Sequence, residues 1–295
     1  MRVLLTGASG QVGGELAQLL PQRFAGAHVI ALDRAALDLT DAGATIALVR
    51  AAAPDVIVNA AAYTAVDAAE SDPQTAYALN AQAPEVLAEE ARQRGCLLIH
   101  YSTDYVFDGM AREPYTEESQ PNPVSVYGAS KLAGEAAVHA SGCAHLILRT
   151  SWVYGRRGKN FLLTMRRLAA ERPELRVVND QWGVPNWSRL LAAATLDLLD
   201  RGIPFAAERS GLYHLSCRGA TTWYEFARRL LGYPARPNIV PISTTQYPLP
   251  ARRPAYAVLS GRKLEAAFGV VLPAWEAALA DCLAGMDDQR PPLVV

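Results

Sequence analysis

The chain has 295 residues, 51% of them hydrophobic, and its 28 Lys and Arg against 29 Asp and Glu leave a formal net charge of −1. That balance excludes the basic surplus that draws a protein to nucleic acid or an anionic membrane, and the length suits one large domain or two modest ones. No apolar run approaches transmembrane length, no signal-peptide anatomy is visible, and Cys96, Cys143, Cys217 and Cys282 are too scattered for a disulfide set or zinc site. A cytoplasmic protein with reduced thiols and no metal is therefore expected.

The first predicted strand, over 3–6, opens into Gly7-Ala8-Ser9-Gly10-Gln11-Val12-Gly13, after which Glu15, Leu16, Leu19 and Leu20 follow at helical spacing. Strand, tight loop and helix form the order in which a backbone wraps a dinucleotide pyrophosphate. Gly7 allows the sharp exit, Gly10 the close approach to phosphate and Gly13 the tight helix–strand packing, while the helix N-terminus offers free N–H groups. A second strand, over 28–33, ends in Asp33, where a carboxylate can bond the adenosine ribose; Arg34 beside it suits a 2′-phosphate, so NADH and NADPH both stay open.

A helix over 42–53 precedes a run over 55–59 that is apolar on both faces, as in a buried parallel strand. It leaves through Asn59-Ala60-Ala61-Ala62-Tyr63-Thr64, side chains small enough for a flat ring to lie against. Then come a helix over 73–94 capped by Gly95, a strand over 96–101, a helix over 125–140 and a strand over 145–149. Strands alternating with helices imply an α/β fold with a doubly wound, Rossmann-like parallel sheet. Past Trp152 the rhythm loosens, because Pro173, Pro185, Pro204, Pro234, Pro237, Pro241, Pro248, Pro250 and Pro254 cut the chain into short pieces. A helix over 188–201 and a strand over 212–217 still suit the sheet layer, whereas the helix over 223–231 suits a smaller lobe. The expected organisation is a dinucleotide-binding domain over 1–155, with returns at 188–217, and a mainly substrate-binding, interleaved α/β lobe over 156–295.

Tyr127 and Lys131 stand four apart on a predicted helix, so phenol and ammonium share one face. That pair suits proton exchange with a carbonyl or alcohol oxygen while a hydride moves at the carbon. The chain holds three lysines, Lys131, Lys159 and Lys263, and neither of the others follows a tyrosine at that offset. A chain so biased to Arg that keeps Lys here points to a need for a compact ammonium. Thr103 and Asp104 follow a strand end, where ligands of open α/β sheets bind. Thr103 can donate to a substrate oxygen and Asp104 can accept from a sugar hydroxyl. Trp152, past the next strand, can stack on a sugar or nicotinamide, and the Arg252–Arg253 forks suit a pyrophosphate. His100 reads as a satisfied structural histidine, and the remaining histidines form no metal cluster.

The glycine loop, the Asn-Ala-Ala-Ala strand end and Tyr-x-x-x-Lys together resemble the extended short-chain dehydrogenase/reductase family. Within it, residues 59–70, 101–109 and 149–155 are similar to the dTDP-4-dehydrorhamnose reductase family, as are 179–183 and 211–215. The resemblance implies reduction of the C4 ketone of dTDP-4-dehydro-β-L-rhamnose to dTDP-L-rhamnose with NADPH or NADH. It would put Gly10, Gln11 and Val12 on the cofactor phosphates, and Asp38, Leu39, Ala62, Tyr63, Thr64 and Tyr101 along its adenine and nicotinamide. Thr103, Asp104 and Trp152 would hold the sugar, Tyr127 would protonate the new alkoxide, and Lys131 would sit on the nicotinamide ribose. Some family members form a dimer bridged by magnesium on acidic side chains. Glu15 matches one such position, but Arg189 stands at another, so a monomer or a homodimer without that bridge is expected. Two alternatives remain: an epimerase or dehydratase of the same scaffold, and a non-catalytic partner of methionine adenosyltransferase. Tyr105 after Asp104 speaks against a dehydratase, and Tyr127, Lys131 and Thr103 speak against a mere binding module.

Overall fold

The computed structural model describes residues 1–232 and 237–287, so Pro234 lies outside the described residues. The first half runs β1 (Arg2–Thr6), α1 (Gln11–Arg23), β2 (His28–Leu32), α2 (Ala42–Ala52), β3 (Val56–Asn59), α3 (Val66–Ala69), α4 (Pro73–Tyr77), α5 (Ala83–Arg94), β4 (Leu97–Thr103), α6 (Val126–Ala140) and β5 (His145–Thr150). Side-chain caps set several starts: Asp41 accepts from the Ala44 amide, Asp72 from Thr75 and Ser125 from Gly128. Gly95 ends α5 in the left-handed conformation.

The helix expected over 73–94 is broken by a π-helical turn at Ala78–Gln82. Two causes are visible: Pro84 brings no amide to the start of α5, and the Asn80 side chain is engaged by both main-chain groups of Tyr63.

The second half runs β6 (Val153–Tyr154), α7 (Phe161–Glu171), β7 (Glu174–Val178), β8 (Trp182–Gly183), β9 (Asn186–Trp187), α8 (Ser188–Asp200), α9 (Ile203–Glu208), β10 (Gly211–His214), β11 (Thr221–Thr222), α10 (Trp223–Leu231), β12 (Asn238–Ile242), α11 (Arg262–Phe268) and α12 (Trp275–Asp287). Six strands make one parallel sheet in the order β10-β5-β4-β3-β1-β2. The strand expected over 212–217 ends at His214, because the Cys217 amide turns to the Asn186 side chain rather than to β5. Three small two-stranded sheets, β7–β12, β6–β9 and β8–β11, build the remainder.

Alternation along the strands divides the core. Leu5, Val58, Ile99 and Leu148 pack with Leu16 and Leu20 of α1 and Leu191 and Leu198 of α8. Leu4, Ile57, Leu98 and Ile147 face the other way, onto Val49 of α2, Leu87 of α5 and Val138 of α6. Strand order reverses at β1, which has β2 on one side and β3 on the other, and open α/β sheets bind ligands beyond the strand ends at such a point. No helix among the described residues is long and apolar enough to cross a membrane.

Candidate active site

The loop after β1 is shaped by what a side chain would strike. Gly7 has φ +72°, and a Cβ there would lie 2.6 Å from the Ala60 and Ala61 backbone; at Gly13 it would lie 2.1 Å from the Gly7 carbonyl oxygen. The loop therefore presses between α1 and the end of β3. Gly10 caps α1 with no side-chain bond, leaving the first helical amides unclaimed by any cap side chain.

A groove of about 580 Å³ opens above this loop. Gly7, Gly10, Gln11, Val12, Asp33, Asp38, Leu39, Ala62, Tyr63 and Thr64 line it, together with Arg34 and Lys159. Lys159 comes from the loop before α7, far away in sequence, and its only early signal was the scarcity of lysine. One Asp33 oxygen accepts from the amides of Ala35 and Ala36 at 3.0 Å each.

Thr103, Asp104, Tyr127 and Lys131 are all buried and do not line this groove. Ser125 caps α6 two residues before Tyr127, and Gly128 lets the helix approach the 3-10 turn Asp104–Val106. A Cβ at Gly128 would meet the Tyr105 carbonyl oxygen at 2.1 Å. That contact brings the two motifs together: Tyr105 and Tyr127 pack edge to face with centroids 5.5 Å apart. Thr103 Oγ1 donates to Asp104 Oδ1 at 3.0 Å, whereas Asp104 Oδ2 is buried without a hydrogen-bond partner.

Burial pushes the Tyr127 phenol up to about 12, with the Thr103 hydroxyl pulling it back and Asp104 adding to the rise. The phenol therefore keeps its proton at any physiological pH. Lys131 Nζ donates to the Tyr101 carbonyl at 2.7 Å and lies 3.3 Å from His100 Nε2. Burial draws this amine down to about 8, opposed by the Glu135 carboxylate. Glu135 itself is clasped by Arg149, whose Nε and Nη2 donate at 2.8 and 2.6 Å.

Burial raises the Asp104 carboxyl to about 7, against the pull of Thr103 and backbone amides. In the unfolded chain this group ionises near its ordinary value of about 4. The folded state binds the extra proton between those values, so the group costs stability as pH rises through the window. The full penalty, on the order of 4 kcal/mol, is present above it. Asp104→Asn is therefore expected to raise the urea midpoint at about pH 8 and to change it little at about pH 4. Equal shifts at both pH values would contradict this.

Three expected site residues are engaged by partners within the protein. Tyr101 follows His100 on β4, so alternation turns its ring to the opposite face; its hydroxyl bonds Thr195 of α8, and only its carbonyl faces Lys131. Arg253 does not present a free fork: Nη1 and Nη2 donate to the two Asp67 oxygens at 3.0 and 2.6 Å. Trp152, at φ +42°, stacks on Trp223 at 3.6 Å, and Gly183 leaves room for its indole where a Cβ would come within 2.4 Å.

Sequence patterns also missed Asn80, His100 and the Glu135–Arg149 pair as parts of this site. Their roles depend on contacts between distant strands and helices. Glu15 is buried between Arg189 Nη1 at 3.2 Å and Arg157 Nε at 3.8 Å. A carboxylate held by two guanidinium groups does not fit a bridging magnesium site.

The family model described as RmlD substrate binding domain matches residues 1–287. A dTDP-4-dehydrorhamnose reductase of Burkholderia thailandensis is 46% identical over 295 residues, spanning 96% of this chain and 98% of its own. The crystal structure of a dTDP-4-dehydrorhamnose reductase from Clostridium acetobutylicum is 37% identical and superposes with a TM-score of 0.91 over 97% of this chain and 100% of its own. That of the Bacillus anthracis dTDP-4-dehydrorhamnose reductase, in complex with NADP, is 35% identical with a TM-score of 0.89, covering 96% and 99%. With the parallel sheet, the glycine-loop groove and the Tyr127–Lys131 helix beside it, these likenesses identify the chain as a member of the dTDP-4-dehydrorhamnose reductase family.

Proposed function

We propose that the protein reduces the C4 ketone of dTDP-4-dehydro-β-L-rhamnose to dTDP-L-rhamnose. The observation that carries this reading is a buried tyrosine set against Thr103 and Asp104 at the strand ends, beside a groove shaped for a dinucleotide. Gly10, Gln11 and Val12 would hold the cofactor phosphates, Asp33 or Arg34 the adenosine ribose, and Ala62, Tyr63 and Thr64 the far end. NADPH or NADH supplies the hydride when bound. Tyr127 gives its O–H proton to the oxygen that was the ketone, and the Lys131 cation steadies the phenolate left behind. Thr103 would turn its O–H from Asp104 to the same sugar oxygen, Asp104 would accept from a neighbouring hydroxyl, and Trp152 would border the sugar. The nucleotide falls to the lobe over 1–155 with 188–217, and the sugar mainly to 156–295. The working unit is a cytoplasmic monomer, or a homodimer without a magnesium bridge.

The test is a steady-state screen of dTDP- and UDP-4-keto-6-deoxysugars with both reduced cofactors, following loss of the reduced nicotinamide absorbance. Many turnovers per protein with the dTDP sugar are expected. A single-turnover burst would indicate an epimerase that retains its cofactor, and no oxidation with any sugar would leave only a binding role.

A further inference from the structure

The parallel register places a row of polar side chains across the sheet. Thr6, Asn59 and His100 are partners on β1, β3 and β4. Each lies two residues beyond a core residue, Leu4, Ile57 or Leu98, on the face that α2, α5 and α6 cover. All three are buried, and they bond in sequence. Thr6 Oγ1 donates to Asn59 Oδ1 at 2.8 Å, Asn59 Nδ2 meets His100 Nδ1 at 3.1 Å, and His100 Nε2 meets Lys131 Nζ at 3.3 Å.

One main-chain amide decides the direction of this chain. The Ala61 N–H donates to Asn59 Oδ1 at 3.2 Å. A backbone amide can only donate, so that atom is the oxygen and the Asn59 NH₂ must face His100. Nδ1 of His100 then accepts, and the proton of the neutral ring sits on Nε2. Burial first, and the Lys131 charge second, hold His100 well below its ordinary pKa, so a second proton is not available to it. The Nε2–H therefore points at the lysine nitrogen. An ammonium has no lone pair to receive it; a neutral amine does.

We propose that His100 is a positioning residue that sets the charge of Lys131, its Nε2–H being locked through Asn59 and the Ala61 amide so that the neutral amine is favoured. This rests on the reading in which the Lys131 cation assists Tyr127. The neighbours divide in their effect. Glu135, one turn along α6, favours the cation but is itself engaged by Arg149 of β5. The Tyr101 carbonyl accepts from Nζ in either state. Other ionisable groups turned toward α6 include Asp104 and Tyr105 in the turn after β4, Tyr63 beside Tyr127, Glu70 beyond α3 on the Val126 amide, His145 of β5 on His139, and Glu85, Glu89 and Glu90 of α5 opposite Ala137 and Ala140. His100 supplies the N–H that opposes the charge. It thereby limits how far into alkaline pH Lys131 stays a cation.

With three lysines in the chain, the protein labelled at lysine 13Cε gives three resonances, and Lys131→Arg identifies the one of interest. Lys131 is expected to titrate near 8, below the ordinary lysine value of about 10.4. His100→Asn keeps an acceptor for Asn59 on its Oδ1 and, being shorter than the imidazole, withdraws the Nε2–H from Lys131, so the Lys131 midpoint should rise by about one unit, carrying the alkaline limb of kcat/KM with it. A midpoint that stays put or falls overturns the proposal, as does a limb that stays put while the resonance moves. Should His100→Asn fail to fold, side-chain 15N spectra of the unaltered protein decide. A proton on Nε2 alone supports the assignment, and one on Nδ1 overturns it. Neither spectrum needs turnover, so failure to reduce any sugar would overturn the proposed function and leave this test standing.

Discussion

Tyr127→Phe is expected to lower kcat roughly 10²–10⁴-fold, the range for losing a general acid, while dinucleotide binding stays nearly intact. The substitution keeps the ring, so the edge-to-face packing on Tyr105 and the apolar contacts with Ala69 and Ala76 persist. What disappears is the hydroxyl, the one part of the residue that can hand a proton to a nascent alkoxide. Gly7, Gly10 and Asp33, which line the groove, do not depend on that hydroxyl. Steady-state turnover beside a fluorescence titration with reduced cofactor separates the two effects. Unchanged turnover would mean that another group supplies the proton.

Glu135→Leu carries the largest expected effect on stability, a loss of about 3–5 kcal/mol, because it strands the Arg149 guanidinium in the interior. Arg149 and Glu135 are 2% and 6% exposed, too little for water to take over solvation of the abandoned charge. Ser102 also loses its acceptor on Glu135. The double replacement Glu135→Leu with Arg149→Met removes both charges and should recover much of the deficit. Denaturant midpoints of the three variants check this; a single variant no worse than the double would show that the pair is not what holds this corner. Glu135→Leu also removes the carboxylate favouring the Lys131 cation, so that lysine should titrate lower still.

Local pattern was enough wherever a short stretch of chain dictates its own geometry. The glycine loop is such a stretch: the Gly7 and Gly13 spacing is legible because any Cβ there collides with backbone a few residues away or on the next strand. The strands β1, β3, β4 and β5 and the start of α6 at Ser125 are legible for the same reason, through apolar runs and a side-chain cap. Tyr101 and His100 show the limit. Both sit in the middle of β4. The family motif over 101–109 includes Tyr101 and stops short of His100, which the sequence offers only as a structural histidine. Alternation then sends Tyr101 to Thr195 on one face and His100 to Lys131 on the other. Arg253 shows it differently, since its partner Asp67 lies 186 positions earlier in the chain.

The amino-acid order by itself determined a doubly wound parallel sheet, a glycine turn between β1 and α1, and a tyrosine and lysine on one face of α6. Each follows from periodicity, chirality and backbone sterics acting over a few neighbouring residues. Tertiary structure alone decided which way β4 turns its side chains, that Asp67 occupies Arg253 and that two arginines enclose Glu15. It also decided that one amide of Ala61 orients Asn59, His100 and Lys131 in turn. Those outcomes depend on which distant groups burial forces together and on the need of each buried donor for an acceptor, and no local pattern records either.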